Sequence, residues 1–127
     1  LDEPYTIVSA SVMAATDSKA ADKLAAPSRL RKYGMRTGRF WSLVAPDEAL
    51  AHPEWSKAEA MPSNAINGTP DEVALGLQQL AEQTQANELF LHCSSFGLAE
   101  RVRSLELIAE RWGTRTDEHL EVAALPR

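Results

Sequence analysis

The sequence holds a single cysteine, Cys93, and no apolar run near the roughly 20 residues that a membrane-spanning helix needs. A lone thiol excludes a disulfide within the chain and leaves a cysteine-based metal site without its second ligand. No two histidines or carboxylates stand at ligand spacing, which argues against other metal sites. These absences favour a protein of the reducing cytoplasm that has no membrane partner.

Positive charge is also scarce, because 13 Lys and Arg residues face 18 Asp and Glu residues and give a net charge of -5. This balance argues against a general affinity for nucleic acid. The basic residues cluster once, between Arg29 and Arg39. We interpret that cluster as a solvated helix face and loop; the alternative is that one of its arginines reaches an anionic ligand.

The length and the 44% apolar content are sufficient for one domain with a substantial core, so residues 1–127 are interpreted as a single α/β unit. Three segments have the composition of strands, and each is followed by a segment of helical periodicity. Pro27 is expected to kink or split the first helix. We predict strands at 5–13, 63–67 and 88–93, and helices at 17–33, 70–81 and 98–112.

Residues 34–62 follow neither the helical nor the strand periodicity for long, and they carry several glycines and prolines together with Trp41 and Trp55. A long irregular connection in a compact domain is usually functional. We interpret it as a lid insertion that the two tryptophans anchor, with short helices near 46–51 and 53–61. Residues 114–127 form a weakly patterned tail.

The turn Gly68-Thr69-Pro70 poses the question whether it cradles a phosphate or only begins a helix. Thr69 suits the N-cap, Pro70 suits the first helical position, and Glu72 completes the spacing of a capping box. Acidic residues in the first turn would repel a phosphate, and the Lys-Ser/Thr pair of phosphate loops is absent. We therefore predict a helix cap.

Three strand–helix units in succession are typical of an α/β protein with a parallel sheet. No Gly-x-Gly-x-x-Gly follows any predicted strand, so a dinucleotide-binding Rossmann unit is disfavoured. A barrel repeat fits the succession better.

Three segments, in their order and spacing, resemble the bacterial-luciferase-like, flavin-dependent monooxygenases. They are AATDSKAA at 14–21, GTPDEV at 68–73 and ANELFLHCSSFGLAERVRSLELIAE at 86–110. The resemblance covers nearly all of the chain and implies part of a (β/α)8 TIM barrel, about its last three strand–helix units. At one position the chain departs from the family: Gly97 stands where an Asp is frequent, while Arg101, Arg103 and Ser104 are kept.

The resemblance implies an oxidoreductase that uses reduced FMN and O2 to oxidise an aldehyde or similar small organic substrate, with a deazaflavin, F420, as the alternative cofactor. Chemistry in such barrels occurs at the C-terminal ends of the strands. There the expected cofactor-binding residues are Asn67, Gly68, His92 and Ser94. Most flavin-binding and catalytic groups of the family lie on earlier strands, so no catalytic residue is assigned and the isolated chain is expected to be inactive. The alternative is a non-catalytic binding or assembly module.

Part of a barrel would leave open strand edges and an uncovered apolar face. We expect either the missing barrel half or a second copy of the chain to cover that face, in addition to the flavin and substrate as partners. The residues predicted to form it are Ile7, Val8, Val12, Ile66, Leu89 and Leu91.

His92, Cys93 and Ser94 suggest a rival hypothesis, nucleophilic catalysis by the thiol or the hydroxyl. Neighbouring residues of a strand point to opposite faces, so the thiol and the imidazole cannot easily pair, and no acid nearby orients the histidine. We expect His92 and Cys93 to line a pocket or the core instead.

Overall fold

The structure is a computed structural model that describes residues 2–113 and the backbone of 121–122. Residues 114–120 and 123–127, most of the predicted tail, lie outside the described residues. The strands are β1 (Ile7–Ala14), β2 (Ile66–Gly68), β3 (Glu88–His92) and β4 (Glu121–Val122). The helices are α1 (Ser18–Arg36), α2 (Pro46–Leu50), α3 (Trp55–Ala60), α4 (Pro70–Thr84) and α5 (Leu98–Gly113). The three predicted strands and all the predicted helices, including the two short ones, are confirmed.

The four strands form one parallel sheet in the order β2-β1-β3-β4. β1 has eight residues and pairs along both of its edges, with Val12 opposite Ile66 of β2 and Ala10 opposite Leu91 of β3. Its small and β-branched residues suit this position, because a central parallel strand is covered on both faces.

The predicted fold class, the last three units of a (β/α)8 TIM barrel, is wrong. Consecutive barrel units lie side by side in chain order, so the second strand would separate the first from the third. Here the first strand lies between the second and the third, in a small open sheet. Alternation of strands and helices indicates a parallel sheet but does not determine which strands pair. β2 has only three residues, and the longer β1 is the partner that matches all five residues of β3.

Helices cover both faces of the sheet. Right-handed connections from β1 to β2, and from β2 back past β1 to β3, run in opposite directions and therefore place their helices on opposite faces. α4 and α5 pack against each other and on β1, whereas α1 packs on β1 and β2. The result is a doubly wound α/β sheet, a fold whose ligands bind at the carboxyl ends of the strands.

The set of residues predicted to form an uncovered apolar face is wrong. Val12, Leu89 and Leu91 belong to the main core with residues of α4 and α5, and Val8 and Ile66 pack at the margin of that core. Only Ile7 is strongly exposed, at 58%. Successive residues of a strand point to opposite faces, so Ile7 and Val8 cannot share one face of the sheet.

Residues 34–62 fold against α1. This helix runs unbroken through the buried Pro27, so the predicted split does not occur. A second core joins α1 to α2 and α3, and Trp41 and Trp55 pack around it, which confirms them as anchors of the segment. The residues at its centre are Ala26, Leu30, Ala49 and Ala58.

We predict that Gly34→Ala destabilises the chain by about 1–3 kcal/mol, because overpacking forces neighbouring groups to move. A Cβ at Gly34 would lie 2.7 Å from the Trp41 ring and 3.1 Å from the Arg39 carbonyl oxygen. The matched control is Gly113→Ala, also at the end of a helix, where a Cβ meets nothing within 4 Å. Urea unfolding measures both; equal midpoints for the two variants would contradict the close packing of Trp41 on α1.

Candidate functional site

A small cleft, open to solvent and with a cavity volume of about 20 Å³, lies between α1 and the carboxyl-terminal half of the sheet. Its walls come from β1, from α1, from the segment 63–67 and from Ser94, two residues beyond the end of β3. The polar residues that line it include Ser11, Ser28, Arg29, Lys32, Asn67 and Ser94.

Regular spacing explains why α1 contributes so many of these groups. Residues three, four and seven positions apart share one face of a helix, and the cleft-facing residues of α1 have this spacing: Ala25, Ser28, Arg29 and Lys32. On the sheet, Asn67 of β2 pairs in register with Met13 of β1, and both line the cleft.

The two cations of the cleft differ in what they contact. Arg29 is held by α3, since its Nε donates to the Ala58 carbonyl oxygen at 2.9 Å and its Nη2 donates to that of Glu59 at 2.7 Å. Lys32 is half-buried, and its ammonium has no hydrogen-bond or ion-pair partner within residues 2–113. No Asp or Glu belongs to the lining. The cleft is therefore a positively charged site in a chain of net charge -5.

Of the four residues expected to bind a cofactor, Asn67 and Ser94 line this cleft and the other two do not. His92 is exposed; it pairs in register with Ser11 and so shares the face of the sheet without belonging to the lining. Gly68 is buried with a φ of 152°, a conformation that favours glycine. A Cβ there would lie 2.7 Å from Glu72 Oε1, so Gly68 lets that carboxylate close over the turn.

The Glu72 carboxylate determines whether the turn before α4 cradles a phosphate or only begins the helix. The predicted capping box is confirmed: the Glu72 N–H donates to Thr69 Oγ1 at 3.2 Å, and the Thr69 N–H donates to Glu72 Oε1 at 2.9 Å. The Ser18 hydroxyl also donates to Glu72 and, with the two Thr69 groups, lowers the pKa of its carboxyl. The chain's own anion thus occupies the helix start where a phosphate would bind.

Cys93 is a core residue whose surroundings disfavour the thiolate form. It is buried against Met13, with 3.7 Å between the two sulfur atoms. Burial raises the pKa of the thiol, and the Ser104 hydroxyl and the Arg101 charge offset this only in part. Since the thiolate is the nucleophilic form, this environment disfavours covalent catalysis by Cys93.

The sequence reasoning missed Ser28 and Lys32, and it interpreted Lys32 as part of a solvated face. The available signal was the i, i+4 spacing between Ser28 and Lys32, which places both on the same face of an alanine-rich helix as Ala25 and Arg29. It could not be used without knowing that this face of α1 lies over the carboxyl ends of the strands.

The groups of the cleft are hydroxyl, amide and ammonium groups rather than metal ligands. Among the described residues, no set of three His, Cys, Asp or Glu side chains is arranged to hold a metal ion. The same part of the chain contains no helix with the length and apolar character needed to cross a membrane.

Comparison with known proteins finds two longer relatives. The chain is 32% identical over 119 residues to the uncharacterized protein YvbT of Bacillus subtilis (strain 168), which covers 91% of this chain and 35% of that protein. The crystal structure of apo-MsnO8 matches with a TM-score of 0.75 and 28% identity, over 98% of this chain and 37% of that one. This chain therefore spans little more than a third of the length of either relative. No family model matches it.

We predict that Thr69→Ala costs about 1 kcal/mol of stability through loss of the N-cap, and leaves anion binding in the cleft unchanged. Chemical denaturation and a phosphate titration measure the two effects. Thr69→Ser, which keeps the capping hydroxyl, is the control. A tenfold loss of phosphate affinity at unchanged stability would instead make the turn before α4 the phosphate site.

Proposed function

We propose that this chain is part of a luciferase-like flavin-dependent monooxygenase, an oxidoreductase in which reduced FMN and O2 oxidise an aldehyde or similar small organic substrate. Three segments of the sequence resemble that family in order and spacing, at 14–21, 68–73 and 86–110. Relatives nearly three times as long are consistent with a chain that supplies one portion of an enzyme.

The observation that carries the proposal is the convergence of Asn67 and Ser94 in one cleft, although 26 positions of sequence and a whole helix separate them. A flavin ring presents both donors and acceptors along its polar edge. The Asn67 amide and the Ser94 hydroxyl each supply both kinds of group. Neither side chain has a hydrogen-bond partner among the described residues, so both are available to a ligand.

The cleft can contact only an edge of the cofactor. Its cavity volume is about 20 Å³, far below that of a flavin nucleotide, so most of the contacts must come from elsewhere in the enzyme. The flavin, when bound, supplies the chemistry with O2. The part of this chain is to hold and orient it through Asn67 and Ser94, beside Met13 in the wall of the cleft. The isolated chain should therefore not turn over.

The deazaflavin F420 is the alternative cofactor, since it also joins a polar ring system to a phosphorylated tail. A non-catalytic binding or assembly module is the alternative function. The observation in its favour is an exposed apolar pair on the α1 face of the sheet, Ile7 and Phe90, which a second copy of the chain could cover. We further propose a cytoplasmic location, in keeping with the free thiol of Cys93.

Titration of the isotope-labelled chain with FMN and with riboflavin tests the flavin proposal. We expect both ligands to shift the amide signals of Asn67 and Ser94, with saturation well above the micromolar range, because the chain supplies only some of the contacts. Ser94→Ala should weaken both titrations, whereas Ser9→Ala, an exposed β1 serine outside the cleft, should not.

Two outcomes would contradict the proposal. Micromolar, saturable quenching of FMN fluorescence would show that this chain alone holds the whole cofactor. An absence of riboflavin shifts at its solubility limit would show that the cleft does not recognise the ring.

A further inference from the structure

We propose that the cleft between α1 and the sheet binds a phosphate monoester group, with the Lys32 ammonium as its charged ligand. The inference goes beyond the flavin proposal and does not depend on it, because any phosphorylated metabolite could supply the group.

The charge distribution is the first argument. The chain carries a net charge of -5, yet the cleft is lined by two cations and no carboxylate. Among the described residues, Lys23, Arg39, Lys57 and Arg111 are paired with acids, and Lys32 belongs to the cations that are not. Lys32 differs from the exposed cations in being half-buried at the cleft. An ammonium without a counter-charge at such a position is stabilised by an anionic ligand.

The placement of neutral donors is the second argument. Ser11 of β1, Ser28 of α1 and Ser94, two residues beyond β3, line the cleft, and none of their hydroxyls has a hydrogen-bond partner among the described residues. Ser28 stands one helical turn before Lys32, so its hydroxyl and the ammonium lie on the same face of α1. Unpaired donors on three walls around one cation match the several oxygens of a phosphate better than the two oxygens of a carboxylate.

The guanidinium of Arg29 adds positive potential without needing to move. Its Nε and Nη2 are engaged by carbonyl oxygens at the end of α3, and its Nη1 has no acceptor within residues 2–113. This anchoring fixes the cation at the cleft wall, where it raises the local concentration of anions. The start of α4 lies at the same carboxyl-terminal edge of the sheet, and the carboxylate of Glu72 closes it to an anion.

The shape of the cleft favours a monoester over a nucleoside triphosphate. The site has one unpaired ammonium and no glycine-rich loop, whereas triphosphate sites wrap several backbone N–H groups around consecutive phosphates. The opening to solvent lets the organic part of an ester remain outside the cleft.

Calorimetric and phosphorus NMR titrations at fixed salt, with inorganic phosphate and with glycerol 3-phosphate, test the proposal. We expect saturable one-site binding of glycerol 3-phosphate, and a loss of about tenfold or more in Lys32→Gln, since a hydrogen bond to a charged group contributes at least that much. Ser28→Ala should lose severalfold, and Lys32→Arg, which keeps the charge, should retain most of the affinity.

The matched control is Lys19→Gln, an exposed lysine of the same helix that does not line the cleft. It removes the same charge from α1 and should leave binding unchanged. Circular dichroism verifies that each variant is folded, and Lys32→Arg keeps the test valid if Lys32→Gln does not fold.

Three results would overturn the assignment. Equal losses in Lys19→Gln and Lys32→Gln would reduce the effect to general electrostatics. If acetate bound as tightly as glycerol 3-phosphate, the cleft would be a carboxylate site. If inorganic phosphate bound and glycerol 3-phosphate did not, a monoester ligand would be excluded. Phosphate binding that depends on Lys32, without riboflavin shifts at Asn67 and Ser94, would support this inference and contradict the flavin proposal separately.

Discussion

β1 is paired on both edges, and its carboxyl-terminal half is covered on both faces; the other described elements take their positions from this requirement. Ala10, Val12 and Ala14 are almost completely removed from water. α5 is joined to the end of the strand by a buried hydrogen bond, in which the Ala14 N–H donates to Ser104 Oγ at 2.8 Å. The bond satisfies a backbone donor that would otherwise be buried without a partner. Ser104 thus has a structural role that its position in an arginine-rich helix does not suggest.

The cleft results from incomplete cover on the opposite face. α1 packs on β1 and β2 but leaves the same face of β3 open, so Phe90 is 46% exposed and His92 is solvated. Polar residues follow the strands at the carboxyl-terminal edge of the sheet, where α1 packs over them. Glu72 contributes to the arrangement by accepting hydrogen bonds from Ser18 at the start of α1 and from Thr69 at the start of α4. One carboxylate therefore links the two helices that follow β1 and β2.

Local features were predicted well from sequence because they depend on neighbouring residues. The capping box at Thr69 and Glu72 is written in a four-residue pattern, and the helices follow from apolar spacing. The order of the strands depends on which edges meet in space, and the resemblance to a barrel family led to the wrong order. The cleft depends on that order: Asn67 and Ser94 could be placed at strand ends, but Lys32 joins them only because α1 crosses the face of β1 and β2.

The position of β1 between β2 and β3 is the claim on which the sheet, its two covered faces and the cleft all depend. Nuclear Overhauser contacts between backbone protons of neighbouring strands measure it directly. We predict contacts between Ala10 and Leu91 and between Val12 and Ile66, the pairs that are in register across β1–β3 and β1–β2. Contacts between β2 and β3, without contacts between β1 and β3, would contradict this order and the cleft that follows from it.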